Sequence, residues 1–161
     1  MKNLILIRHA KSSWDAPLKD IDRPLENRGI KDAHLVATNS ISFVPKTFLI
    51  YSSPAKRASE TAIIFAQTIS YPLEDIIFKD QLYTFDENQL EDFIKNLNNI
   101  NENVIIFGHN EAITNFVNKF GDVLIDNVTT SGFVSIKFDT NNWNTLTKGK
   151  TTKIIFPKDL K

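Results

Sequence analysis

Four strongly apolar residues, Leu4-Ile5-Leu6-Ile7, are cut off by Arg8-His9-Ala10, and this short run constrains the chain more than any other feature. A run of that length bounded by cations reads as a buried strand of a parallel sheet, carrying Arg8 and His9 to its C-terminal end. Two more runs behave the same way. Val104-Ile105-Ile106-Phe107 ends in Gly108-His109-Asn110, and Phe48-Leu49-Ile50-Tyr51 ends in Ser52-Ser53-Pro54, with Arg57 one turn into the next segment. Open α/β sheets bind their ligands at the C-terminal ends of their strands. Two histidines and two arginines are thereby aimed at one edge, a set that suits a phosphoryl group.

The segments between these runs predict the rest of the fold. Lys11 to Asp22 is polar, contains Pro17 and reads as a loop over the first strand's end. Arg23-Pro24-Leu25 leads into a helix that ends near Asn39 and Ser40, with Ile30, Ala33, Leu35, Val36 and Ala37 on its apolar face. A strand over 47–51 follows, then Ser53 as an N-cap and Pro54 as a first helical residue. Ala62, Ile63, Phe65, Ala66 and Ile69 give a helix over 58–69 its buried side, and Pro72 ends it. A short strand at 76–78, a helix over 87–97, a strand at 103–107 and a helix from about Glu111 to Phe120 complete the alternation. Residues 133–138 alternate in polarity, and with 153–156 they predict a hairpin at the sheet's edge, joined through the Asn-rich stretch 139–144. The order implies a three-layer α/β/α sandwich with a mainly parallel central sheet, formed by residues 1–161 as a single domain.

Composition removes whole classes of function. The 161 residues carry 19 basic and 19 acidic side chains, so no global field draws the chain to nucleic acid or to an anionic membrane. It contains no cysteine, which excludes a disulfide framework, a thiolate metal site and a cysteine nucleophile. No apolar run approaches a membrane span or a signal-peptide core, and the expectation is a cytoplasmic protein. No metal and no cofactor are expected, since three histidines without a carboxylate cluster make a poor metal site. His34 falls within the first helix and reads as a structural residue. Asp20-Ile21-Asp22 has the look of an aspartyl-phosphatase motif, but Pro17-Leu18-Lys19 rather than an apolar strand precedes it, so it reads as loop. Trp14 and Trp143 read as core or loop anchors, and Lys148, Lys150 and Lys153 as a solvated sheet edge.

A neutral imidazole attacks phosphorus well, and His9 is placed to form a phosphohistidine that water then hydrolyses. The phosphoryl charge needs guanidinium forks and a second imidazole, which Arg8, Arg57 and His109 supply. Lys11 and Arg23, on the loop over the same edge, extend the positive surface, and Asn110 completes the candidate phosphate-binding set.

Strand-end Arg8-His9, the Ser-Pro-x-x-Arg-x-x-x-Thr-Ala segment ending at Thr61-Ala62, and Gly108-His109 together resemble the histidine phosphatase superfamily. More narrowly, RHAKSSW at 8–14, DRPLENRG at 22–29, GHNEAI at 108–113 and FPKDL at 156–160 are similar to its small SixA-like phosphohistidine phosphatases. The resemblance spans Leu4 to Leu160 and implies a phosphoglycerate mutase-like fold, His9 as the phosphorylated nucleophile, and a phosphate pocket lined by Arg8, Arg57 and His109. Ala10 departs from the superfamily's usual glycine, Glu111-Ala112 from its usual Pro-Gly, and Glu26 is a weak N-cap. Many larger relatives carry a carboxylic acid that protonates an alcohol leaving group, in one branch directly after the second histidine. Here Asn110 holds that position, and an amide cannot supply the proton. A phosphoester needs that help more than a protonated phosphoramidate does, so the expected substrate is phosphohistidine on a signalling or phosphotransfer protein. Asp86 and Glu111 are the other candidate acids. A small phosphorylated molecule is the alternative substrate, and a phosphate-binding module without turnover the alternative class.

Overall fold

The computed structural model describes all residues, 1–161. Six strands form one sheet: β1 (Lys2–Arg8), β2 (Leu49–Ser52), β3 (Ile77–Phe78), β4 (Asn103–Gly108), β5 (Phe133–Phe138) and β6 (Lys150–Ile155), in the spatial order β3-β2-β4-β1-β5-β6. The pairs β1–β4, β2–β4 and β2–β3 are parallel, while β5 runs antiparallel to both β1 and β6. The sheet is therefore mainly parallel, with the expected hairpin at one edge. Four helices cover it: α1 (Asn27–Ser40), α2 (Lys56–Thr68), α3 (Glu87–Lys95) and α4 (Ala112–Phe120).

Strand alternation sorts the apolar residues onto two faces. Leu4 and Leu6 of β1 join Val104, Ile106, Val134 and Ile136 in one core, closed by Leu90 and Ile94 of α3 and by Ile113, Phe116 and Val117 of α4. Ile5 and Ile7 face the other way with Ile50, Ile105 and Phe107, under Val36 and Ala37 of α1 and Phe65 of α2. The four apolar residues of the opening run are at most 2% exposed. At about 1.5–3 kcal/mol per buried aliphatic side chain, β1 is a main source of the sheet's stability as well as the carrier of Arg8. The result is the three-layer arrangement. No helix is long and apolar enough to cross a membrane.

Several local expectations are corrected. Pro54 is not helical and Ser53 is not an N-cap; α2 starts at Lys56, after Ala55. Ser53 instead closes a two-residue turn, its Oγ accepting from the Ala55 amide at 3.2 Å. On α1, Ile30 is exposed and Gly29 takes the buried position, because the helix passes against the backbone of Lys11 too closely for any side chain. Helix α3 ends at Lys95 and β6 begins at Lys150, each a few residues from the predicted limit. Of the two readings for Trp14, core or loop anchor, its 76% exposure leaves the loop.

Candidate active site

Parallel pairing brings the ends of β1, β4 and β2 side by side. Arg8 lies opposite Gly108, and Ser52 opposite Phe107. The alignment continues past the strands, where the His9 amide donates to Gly108 O at 3.0 Å and the Ser53 amide to Phe107 O at 3.0 Å. His9, Ser53 and His109 thus leave the sheet together.

The His9 ring has a fixed proton. Its Nδ1 lies 2.7 Å from the Ala10 carbonyl, which can only accept, so Nδ1 carries the hydrogen and Nε2 presents a lone pair. Arg57 Nε stands 3.4 Å from that Nε2. Burial is the main reason why the His9 pKa falls to about 4; the Ala10 hydrogen bond opposes the fall, and the charges of Arg57, Arg8 and Arg23 add to it. His9 is a neutral base at physiological pH.

His109 sits behind it, with ring centroids 5.2 Å apart. Its Nε2 is 2.8 Å from Ser53 Oγ. Tyr83 and Phe85 pack edge-on against the same ring, at 5.4 and 5.5 Å. Burial, then the charges of His9 and Arg57, hold the His109 pKa at about 3.

Helix α2 presents Arg57 from its first turn, and the guanidinium points outward to Asp20. Arg57 Nη1 donates to Asp20 O at 2.7 Å and Nη2 to Asp20 Oδ2 at 2.9 Å. Arg23 reaches Asp20 Oδ1 at 3.1 Å, and Tyr83 donates its hydroxyl to Asp20 Oδ2. Burial works against ionising this carboxyl, but the hydrogen bonds from Tyr83, Arg57 and Arg23 and the Arg57 charge outweigh it, leaving the pKa at about 2. Arg23 also stacks on Trp14, its guanidinium carbon 3.2 Å from the ring centroid.

Arg8 donates from Nη1 to Val128 O at 3.0 Å, while its Nε has no protein partner. The other buried polar side-chain atoms without one are His109 Nδ1, Thr129 Oγ1 and Ser131 Oγ. The Ser131 amide donates to the carbonyls of Arg8 and His9, which sets this residue beside the end of β1.

One pocket of about 360 Å³ is lined by Arg8, His9, Lys11, Arg23 and Arg57, with Asp20 among them and Trp14 and Phe85 at its wall. Five of the predicted residues therefore share a cavity, and His109 lies directly behind. Asn110 is turned away: its amide nitrogen donates to Asn127 Oδ1 and Val128 O, and its oxygen accepts from the amide and hydroxyl of Thr114. Asp86 caps α3, accepting from the Asn88 amide at 2.9 Å. Glu111 is exposed at the start of α4, where its charge reaches Arg8. Neither carboxylate lines the pocket. A larger groove of about 700 Å³ between Tyr51, Lys79 and α3 holds no histidine or arginine and stands apart from this chemistry.

Sequence reasoning missed Asp20, Ser53, Tyr83 and Phe85 as parts of the site. Asp20 had one usable signal, its spacing of three from Arg23, which a single 3-10 turn over Asp20–Asp22 converts into an ion pair. Tyr83 and Phe85 had none, since they arrive on an irregular segment between β3 and α3.

A neutral histidine lone pair, three arginines at one pocket and unpartnered donors beside them are the equipment of a phosphatase. The sequence model of the histidine phosphatase superfamily, branch 1, matches residues 4–96, more than half of the chain, and the chain belongs to that superfamily. Among solved structures it is similar to a protein of Agrobacterium tumefaciens assigned as the phosphohistidine phosphatase SixA, with 23% identity, a TM-score of 0.79, and 96% of this chain and 97% of that one covered. It is also similar to the protein histidine phosphatase SixA complexed with tungstate, with 21% identity, a TM-score of 0.81 and 99% of both chains covered. At such identities the likeness establishes the fold. An uncharacterized chloroplastic protein of Arabidopsis thaliana is 49% identical over 63 residues, which span 37% of this chain and 28% of the relative's length.

Proposed function

We propose that this chain is a metal-independent phosphatase that forms a phosphoenzyme on His9 and takes its phosphoryl group from phosphohistidine on a protein. The observation that carries the reading is the His9 ring: a neutral imidazole, its hydrogen held on Nδ1 by Ala10, with the Nε2 lone pair beside Arg57. That lone pair attacks phosphorus, the bond from phosphorus to the substrate nitrogen breaks, and the substrate imidazole leaves with the proton it carries on entry. Water then attacks the phosphohistidine of His9 and releases orthophosphate. Arg8, Arg57 and His109 are the groups that offset the phosphoryl charge, and Arg8 Nε and His109 Nδ1 gain acceptors when an oxyanion binds. Lys11 and Arg23 extend the positive wall; Asn110 acts by holding the 127–128 segment.

The phosphoramidate reading is supported by how the carboxyls are employed. Asp20 is ionised and paired, Asp86 caps a helix, Glu111 lies outside the pocket and Asn110 replaces the acid, so none is free in the pocket to protonate an alcohol leaving group. The two structural relatives, a phosphohistidine phosphatase by assignment and a protein histidine phosphatase, point the same way. We place the enzyme in the cytoplasm, as a chain without cysteine needs no oxidising compartment.

The test is parallel turnover of wild type and His9→Ala on a phosphohistidine-bearing domain and on an aryl phosphate, with chelator present. Faster cleavage of the phosphoramidate and a dead variant are expected. Preference for the ester would turn the assignment toward a small phosphorylated molecule. Phosphate binding with no phosphoenzyme would make the chain a binding module.

A further inference from the structure

Arg57 cannot close on a phosphoryl group while Asp20 stays where it is. Both ends of the guanidinium fork are engaged, Nη1 by the Asp20 carbonyl and Nη2 by its carboxylate, and only Nε faces the nucleophile. The pair is lopsided: the Arg57 side chain is 4% exposed and that of Asp20 44%. The cation is fixed in the wall and the anion sits on its solvent side, in the pocket that His9 also lines.

We infer that Asp20 is a built-in competitor for the phosphoryl position: its carboxylate occupies the Arg57 fork, is displaced by an entering phosphoryl group, and returns to drive orthophosphate out. This rests on the phosphatase reading above.

The two carboxylate oxygens have different holders, and this makes displacement feasible. Oδ2 is shared by Arg57 and Tyr83, and these contacts, with the bond from Arg57 Nη1 to the Asp20 carbonyl, define the seated position. Oδ1 is held by Arg23, three residues away on the same loop, whose guanidinium is anchored to Ser13 O and Ser12 Oγ and gives the carboxylate a fixed partner to turn about. When a phosphoryl group takes the fork, Asp20 keeps its Arg23 partner, and no carboxylate is left uncompensated. A doubly charged phosphoryl group offers Arg57 more than a singly charged carboxylate does, so the exchange runs toward binding. It still carries a cost. Apparent affinity falls by the fraction of molecules in which the fork is open, and this applies to every anion that needs Arg57. A phosphoryl group attached to a larger body recovers the loss through other contacts, for which Trp14 and Phe85 at the pocket wall offer aromatic surface. Orthophosphate has no such body, and the seated Asp20 keeps the site clear of it. The low pKa of Asp20 agrees, since the competitor stays charged throughout the working range.

The experiment is calorimetric titration of the full chain with orthophosphate, and separately with tungstate, for wild type, Asp20→Asn and Tyr83→Phe. Removing the competing charge tightens orthophosphate binding about tenfold in Asp20→Asn, and loosening the seat tightens it about two- to threefold in Tyr83→Phe. A gain of affinity on deleting a contact is not what a purely structural residue produces. Tyr83→Phe decides the matter if Asp20→Asn fails to fold. Unchanged or weaker oxyanion binding in the folded variants, against a wild type that binds, overturns the competitor role and leaves the phosphatase reading standing. No oxyanion binding by any of the three proteins overturns both.

Discussion

The backbone amide of Ala10 donates to the hydroxyl of Thr61 at 2.9 Å, and the same hydroxyl donates to the carbonyl of Arg57 at 2.7 Å. One side chain thereby ties the turn after His9 to the helical turn that carries Arg57. Both ends of the link are buried. Thr61 is the part of the Ser-Pro-x-x-Arg-x-x-x-Thr-Ala segment whose purpose only the structure reveals.

Thr61→Val keeps the shape and removes the link. The Ala10 amide is left buried without an acceptor, at a cost of about 1–3 kcal/mol in urea unfolding. Turnover falls by about tenfold or more, because the His9 carrier and the Arg57 carrier lose their common anchor. Thr61→Ser restores most of the rate. Equal rates in wild type and Thr61→Val would show that the two segments hold their positions without it.

The histidines set the acid behaviour. In the unfolded chain both titrate near 6.5, whereas in the fold His9 titrates at about 4 and His109 at about 3. Between those limits the unfolded state binds more protons, so stability falls as pH drops from 6.5 toward 4. By pH 5 the loss is about 2 kcal/mol for each histidine, given 1.36 kcal/mol per pKa unit. Urea midpoints at pH 7.5 and 5 measure it, and His9→Gln removes about half of the histidine-dependent slope. Direct titration of the His9 ring by NMR should show a midpoint near 4; one near 6.5 would mean that the ring is solvated.

Much of this was legible in the sequence because strand ends are fixed by pairing alone. Once Leu4–Ile7, Leu49–Tyr51 and Val104–Phe107 are recognised as parallel neighbours, Arg8, His9 and His109 have to emerge together, and Arg57 follows one turn into α2. Residues delivered by loops had no such register. Asp20 reaches Arg57 only because residues 11–25 fold back over the edge, pinned by the Ser13 amide on Pro24 O and the Glu26 amide on Lys11 O. Tyr83 and Phe85 arrive between β3 and α3 with no periodic signal. For Ser53, a helix cap and the turn-closing, His109-facing serine that the structure shows have the same sequence signature.

Gly29 is what lets that loop lie down. A Cβ there would come within 2.1 Å of Lys11 O, which is backbone and cannot swing aside. Gly29→Ala forces α1 and the loop apart, costing about 1–3 kcal/mol by overpacking. The loop carries Asp20 and Arg23, so activity measured well below the unfolding temperature falls further than stability accounts for. A variant with lowered stability and unchanged kcat/KM would uncouple the loop from the site.

Ser53 governs the proton of the second histidine. Its oxygen accepts the Ala55 amide and lies 2.8 Å from His109 Nε2; with its O–H donated to that nitrogen, the ring hydrogen resides on Nδ1, the buried atom without a protein partner. In that tautomer His109 offers an N–H to a bound oxyanion while staying neutral. Ser53→Ala removes the donor that specifies the tautomer and leaves Nε2 unpaired. Nitrogen chemical shifts of the ring should report Nδ1–H in wild type and a mixture in Ser53→Ala. Turnover of the variant falls about tenfold, the loss of roughly one directed hydrogen bond to the transferring group. A wild-type ring protonated on Nε2 would reverse the donor and acceptor at Ser53, and the oxyanion would then have to be held by Arg8 and Arg57 without help from His109.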